Sequence, residues 1–152
     1  MATFDADELG WRDAYKLLTG LVVPRPIAWV GTRSADGVAN LAPFSFFTVA
    51  SADPPTVLFC PQLPDGRADK DSLANAEASG VFTVSFVSRA LFERMNETAA
   101  SVPPEVDEFE LAGVTPAEGT KVPAPYVAEA PAAIECRLAG VHRLDAAAVV
   151  FG

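Results

Sequence analysis

One histidine and two cysteines are all that this 152-residue chain offers as imidazole or thiolate metal ligands. Cys60 and Cys136 stand far apart in apolar, strand-like runs, with no CxxC and no Cys/His spacing that would build a zinc site. Both are expected as reduced core thiols. His142 has no second histidine to work with, so it reads as a solvated strand residue, and no metal is expected. One histidine without a Gly-x-Ser-x-Gly elbow also leaves a serine or cysteine triad short of parts. Neither Gly-x-Gly-x-x-Gly nor a Walker loop occurs, so no motif supports a dinucleotide-binding α/β fold.

Basic residues are scarce as well. Eleven Lys and Arg face 20 Asp and Glu, for a formal charge of −9 and a pI near 4.4. A nucleic-acid binder needs a basic face, and these scattered cations do not supply one. The acidic balance gives weight to any local basic cluster, because an anionic ligand would be held there against an unfavourable overall field. Although 50% of residues are hydrophobic, a charge or proline interrupts every apolar run before the ~18 residues of a membrane span. The first eight residues, Met1 to Glu8, are acidic, unlike the basic start of a secretory signal. The reading is a soluble, cytoplasmic protein with no nucleic-acid and no membrane partner, long enough for one sizeable core.

What is present is a series of short strands punctuated by Pro and Gly. Asp7 to Gly20 carries Trp11, Tyr15 and Leu18 at helical spacing and closes on glycine, which predicts an amphipathic packing helix capped by Gly20. Ile27 to Thr32 and Val38 to Leu41 flank the turn signal Ser34-Ala35-Asp36-Gly37 and predict a hairpin. Strands are expected at Phe44 to Ala50, Thr56 to Cys60 and Phe82 to Val87. Two more are expected at Ala133 to Leu144 and Ala146 to Phe151, with their turn near Arg143. Leu73 to Ala78 predicts a short helix capped by Asp71 or Ser72. A second helix follows Ser88, with Leu91, Met95 and Ala99 on one face. Pro103 to Pro131, rich in prolines and acids, reads as an irregular excursion, and its cluster Glu105, Asp107, Glu108 and Glu110 as a solvated acidic face. Evenly spaced short strands with inserted helices favour an antiparallel barrel over a βαβ fold. The last residues, Val149 to Gly152, have strand character and no closing polar segment, so the chain is expected to lack a C-terminal part.

Two segments carry candidate chemistry. Asn40-Leu41-Ala42-Pro43-Phe44-Ser45-Phe46-Phe47 combines amide and hydroxyl groups with aromatic faces, suited either to a flat heteroaromatic ligand or to an aromatic barrel core. Arg67-Ala68-Asp69-Lys70-Asp71-Ser72 places basic residues at a helix start, where free N–H groups, a hydroxyl and Lys70 form either a phosphate cradle or an ordinary cap. Asp71 would repel a phosphate, so it is expected to turn back onto the helix or pair with Arg67, leaving Lys70 and Ser72 toward the ligand.

Taken in order, PRPIAWVGT, the Asp36-Gly37 turn, NLAPFSFF, DPP, KDS with Asn75, FTVSF, Asp107-Glu108-Phe109 and the strand with Glu135-Cys136 resemble the flavin reductase family, in the branch similar to nitrilotriacetate monooxygenase component B. The resemblance runs from about Tyr15 to the last residue. It implies one domain over residues 1–152: a mainly β, antiparallel Greek-key split barrel with peripheral helices, C-terminally truncated relative to the family. It implies FMN as cofactor, NADH or NADPH as hydride donor, a homodimer and a monooxygenase component as partner. By position it places Asn40, Leu41, Ala42, Pro43, Phe44, Ser45 and Phe46 along the flavin. Lys70, Asp71 and Ser72 would lie near its phosphate, with Arg25 in reach of either. Ser72 stands where the family usually has threonine. Hydride transfer to a flavin needs no protein acid or base, so no catalytic residue is named. The alternative is an FMN-binding or electron-transfer module without efficient NAD(P)H turnover.

Overall fold

The computed structural model describes residues 3–63 and 70–152; Arg67, invoked above as an ion-pair partner, lies outside them. The Ser34–Gly37 turn forms as expected, with Gly37 at φ 88° and the Ser34 and Val38 backbones bonded across it. It joins β1 (Ala28–Arg33) to β2 (Ala39–Phe44) in an antiparallel pair running from Ala28 opposite Phe44 to Arg33 opposite Ala39. β3 (Phe47–Ala52) and β4 (Pro55–Phe59) form the next hairpin. The run expected as one strand from Phe44 to Ala50 is therefore broken at Ser45-Phe46, and that corner carries the chain from one sheet into another.

β5 (Val81–Ser85) pairs with β1 and with β8 (Ala133–Arg137), giving a first sheet ordered β2-β1-β5-β8. β9 (Gly140–Leu144) and β10 (Ala147–Phe151) complete the second, ordered β3-β4-β10-β9. The stretch Ala133 to Leu144 is thus two strands rather than one. The chain leaves the first sheet after Arg137 and enters the second at Gly140, and the hairpin turn falls at Asp145-Ala146. The first sheet hands the chain to the second twice, at Ser45-Phe46 and at Leu138-Ala139, and the two sheets enclose a shared core. Phe47, Phe59, Phe82, Val84 and Val150 fill that core, with the Phe59 and Phe82 rings edge to face at 5.3 Å. Every pairing between these strands is antiparallel, and the architecture is mainly β.

Because β1 is buried on both faces, its alternate residues serve two cores. Ala28 and Val30 point between the sheets, whereas Trp29 enters a second cluster with Leu41, Met95, Phe109 and Val127. That second cluster is roofed by the segment after β5: a single 3-10 turn at Arg89–Leu91, then α3 (Phe92–Glu97), α4 (Glu108–Leu111) and a small hairpin of β6 (Pro116–Glu118) and β7 (Pro125–Val127). The proline-rich excursion is thus mostly irregular, as expected, but carries one short helix and a small hairpin. Both strands of its hairpin begin on proline, whose missing N–H is tolerated in so short a ladder.

Two helices flank the barrel. α2 (Asp71–Ser79) buries Leu73 and Ala76, and Gly80 caps it at φ 74°. α1 (Trp11–Leu21) departs from expectation in two ways. Gly20 lies inside it, with Val22 at its C-cap, and it buries none of its residues.

Candidate functional site

The corner at Ser45-Phe46 opens one wall of a cavity of about 440 Å³. Asn40 and Ala42 to Phe46 form that wall. Lys70, Asp71 and Ser72, at the start of α2, form a second. Thr98 to Val102, following α3, form a third, and Cys60, Gln62, Leu63, Tyr15 and Glu108 close the remainder. Two segments some thirty residues apart in the chain thus meet across one space.

Asn40 organises the wall. Its carbonyl oxygen accepts the hydroxyls of Ser72 at 2.8 Å and Thr32 at 3.0 Å. Its amide nitrogen lies 3.0 Å from each carboxylate oxygen of Glu108. Two oxygens of one carboxylate are too close together to take both hydrogens of an amide in good alignment. One amide hydrogen therefore serves the pair, and the other has no acceptor among the described residues. Glu108, acceptor-only when ionised, also fixes which way the Asn40 amide faces.

Glu108 is the residue that sequence reasoning missed. It was expected on a solvated acidic face, yet it is buried, 5% exposed. Asp107 explains how: its carboxylate caps α4 by accepting the Phe109 and Glu110 N–H groups. The short helix then turns Phe109 into the second core and Glu108 toward β2, where its Oε2 accepts the Leu41 N–H at 3.0 Å. Burial pushes the Glu108 carboxyl above its ordinary range, and the nearby charge of Asp71 adds to this. The Leu41 and Asn40 donors pull the other way without cancelling it. The Asp107-Glu108-Phe109 triplet, a capping aspartate before a lone aromatic, was the available signal.

The helix start differs from its expected form. Lys70 itself is the N-cap, with no side-chain capping bond, and Asp71 is the first helical residue. The Leu73 N–H bonds the Lys70 carbonyl, and the Asp71 and Ser72 N–H groups ahead of it have no partner among the described residues. Ser72 lines the cavity, but its hydroxyl proton goes to Asn40, so what it presents is lone-pair density. Lys70 is exposed at the rim.

Two further residues of the sequence reading fall outside the cavity lining. Leu41 turns its side chain into the second core. Arg25 donates to the Thr19 and Val22 carbonyls, both at 2.6 Å, closing off the C-terminal end of α1, and its Nε lies 3.5 Å from Ser45 Oγ. It therefore supports the corner from behind. Of the two free thiols, Cys136 is buried, with its pKa pushed up to about 11 by burial, whereas Cys60 is half-buried and lines the cavity. No group of metal-ligating side chains occurs among the described residues, and no helix among them is long and apolar enough to cross a membrane.

Residues 20–152 match the family model described as a flavin reductase like domain. An uncharacterised relative from Aquifex aeolicus is 44% identical over 138 residues, covering 91% of this chain and 70% of its own. Among solved structures, nitrilotriacetate monooxygenase component B from Bacillus cereus superposes with a TM-score of 0.94 at 35% identity, over all of this chain and 78% of that one. A structure from Shewanella frigidimarina with a split barrel domain superposes over all of this chain and 77% of that one, with a TM-score of 0.84 at 22% identity, a likeness of fold.

Proposed function

The chain belongs to the flavin reductase-like domain family, and from that premise we propose that it binds FMN in the cavity beside the β2–β3 corner and passes hydride to it from NADH or NADPH. The observation that carries the proposal is the meeting of Asn40 to Phe46 with Lys70 to Ser72 across one space of about 440 Å³. That volume falls within the ~300–1,000 Å³ of ordinary cofactor sites. The residues present fit the group. Asn40 has a fixed amide with one unclaimed hydrogen for a ring carbonyl. Phe44 and Phe46 supply apolar faces. The uncapped start of α2 and the Lys70 ammonium suit a phosphate.

When bound, the flavin supplies the redox chemistry. The chain's part is to hold and orient it, to anchor its phosphate, and to keep water from the inner wall with Leu63 and Val102. No side chain is assigned as acid or base. Reduced flavin would then serve a monooxygenase component; the Bacillus cereus neighbour is, by its name, one component of a monooxygenase. We also propose a homodimer. α1 leaves Trp11, Tyr15 and Leu18 at 54%, 43% and 57% exposed, an apolar face that a second copy would cover.

The deciding experiment is an absorbance titration of the purified protein with FMN, followed by anaerobic NADH and then NADPH. Saturable binding with bleaching by either nicotinamide supports a reductase. Binding without bleaching favours an electron-transfer module. No binding overturns the flavin reading altogether.

A further inference from the structure

The cavity wall holds two carboxylates, Glu108 and Asp71, against one ammonium, Lys70. They are not equivalent. Lys70 is exposed at the rim, where water screens it, whereas Glu108 is buried. Among the described residues no Lys, Arg or His lies within ion-pair distance of Glu108. Its partners are the neutral Asn40 amide and the Leu41 N–H. An arrangement in which both oxygens only accept is that of the ionised group. Asp71 adds a second negative charge close enough to be felt at Glu108. The inner wall is therefore a negative potential with no compensating cation among the described residues, in a place of low dielectric where such a potential acts strongly.

We propose that Glu108, supported by Asp71, makes the cavity discriminate between the two redox forms of its flavin, holding the oxidised form and weakening its grip on the reduced one. The inference rests on the flavin reading above. Two-electron reduction adds two electrons and one proton to the isoalloxazine and leaves it one unit more negative at neutral pH. The added charge is opposed by the Glu108 carboxylate, while the phosphate, unchanged by reduction, feels the same rim in both forms. The electrons come from reduced nicotinamide in turnover, or from dithionite in a titration. The outcome is a site whose product leaves more readily than its substrate, which suits a protein that hands reduced flavin to a partner. Glu108 is a positioning residue in this scheme through Asn40, and an electrostatic one toward the ring.

The test is the midpoint potential of FMN bound to the full chain, measured by anaerobic dithionite titration with a reference dye. Each form's dissociation constant is measured alongside. Glu108→Gln is expected to raise the potential by about 30 mV, the equivalent of a tenfold change in the oxidised-to-reduced affinity ratio for a two-electron couple. Asp71→Asn is expected to raise it by less, and Glu108→Asp to stay near wild type. Asp71 makes no capping bond, so its variant serves even where Glu108→Gln fails to fold. Bound FMN with the same potential in wild type and in Asp71→Asn and Glu108→Gln overturns this inference alone. FMN that does not bind the wild type overturns the flavin reading and this inference with it.

Discussion

Trp29 donates its indole N–H to the hydroxyl of Thr98 at 2.8 Å, across sixty-nine residues of chain. Trp29 is fully buried in the middle of the first sheet, and Thr98 is 2% exposed in the wall of the cavity. The Thr98 hydroxyl spends its own proton on the Met95 carbonyl, also at 2.8 Å. It can therefore act toward Trp29 only as an acceptor. One bond thus ties the cavity's third wall to an interior strand of the first sheet.

Replacing Thr98 by valine keeps the shape and removes the acceptor. The buried indole N–H is then left unpaired, at a cost of roughly 1–3 kcal/mol. Urea denaturation should show that loss, and Thr98→Ser should recover most of it. A valine variant as stable as wild type would mean that the wall is held by its backbone alone.

Gly31 is required by a close approach. A Cβ there would overlap the Pro125 carbonyl and come within 2.6 Å of Thr83 Oγ1, and the Thr83 hydroxyl itself bonds that carbonyl. β7 therefore lies against β1 with no room for a methyl group. Gly31→Ala should cost roughly 1–3 kcal/mol through overpacking. Gly140→Ala, at a strand position with open space around it, should match wild type or exceed it, by up to about 1 kcal/mol. Thermal melts of the two variants make the comparison.

The sequence carried the barrel because its turns are chemically marked. Asp36-Gly37 could serve only as a tight turn, and Phe82-Thr83-Val84-Ser85 alternates as a half-patterned strand must. It carried less of the excursion between Pro103 and Pro131, where proline content masked two three-residue strands that begin on proline. It carried least of Glu108. Glu105, Asp107, Glu108 and Glu110 are alike as residues, and only the packing of Phe109 against Trp29's cluster decides which of them turns inward. Lys70 illustrates the same limit. Asp71 and Ser72 are better capping residues, yet Ser72 is drawn away by Asn40, a partner 32 positions earlier that local propensity does not register.

Glu135 should make the loop after β6 acid-sensitive. Its carboxylate accepts the Lys121 N–H at 2.6 Å, the Val122 N–H at 2.9 Å and the Thr120 hydroxyl at 2.9 Å. These donors, the Lys121 N–H foremost, lower its pKa from 4.5 to about 2. A folded-state pKa below the unfolded value means stability that is fully present above pH 4.5 and is lost as the pH falls toward 2. The protection factors of the Lys121 and Val122 amides, taken against their intrinsic exchange rates at each pH, should therefore fall through that window in wild type. In Glu135→Gln the two amides should exchange faster at neutral pH and depend less on acid. Equal protection in both proteins would remove Glu135 from the account of this loop.

Lys70 offers the sharpest division between a cofactor site and a plain helix start. An FMN phosphate carries about −1.5 to −2 charges at neutral pH, and the chain is at −9. A phosphate held here depends on local cations, and Lys70 is the one that lines the cavity among the described residues. It sits at the N-cap of a nine-residue helix whose first N–H groups no side chain among the described residues caps. Ammonium and helix terminus would thus act on the same anion. Exposure at the rim screens the ammonium, so Lys70→Ala should weaken FMN by about 1 kcal/mol, several-fold in dissociation constant, rather than by the larger amounts of buried ion pairs. The effect should shrink as salt rises past the point where the Debye length falls below ~8 Å. Riboflavin shares the ring and ribityl chain but lacks the phosphate, and its affinity should be unchanged by the substitution. Fluorescence titrations of both flavins against wild type and Lys70→Ala, at low and high salt, measure all four quantities. Equal losses for the two flavins would place the phosphate elsewhere and reduce Lys70 to the first residue of a helix.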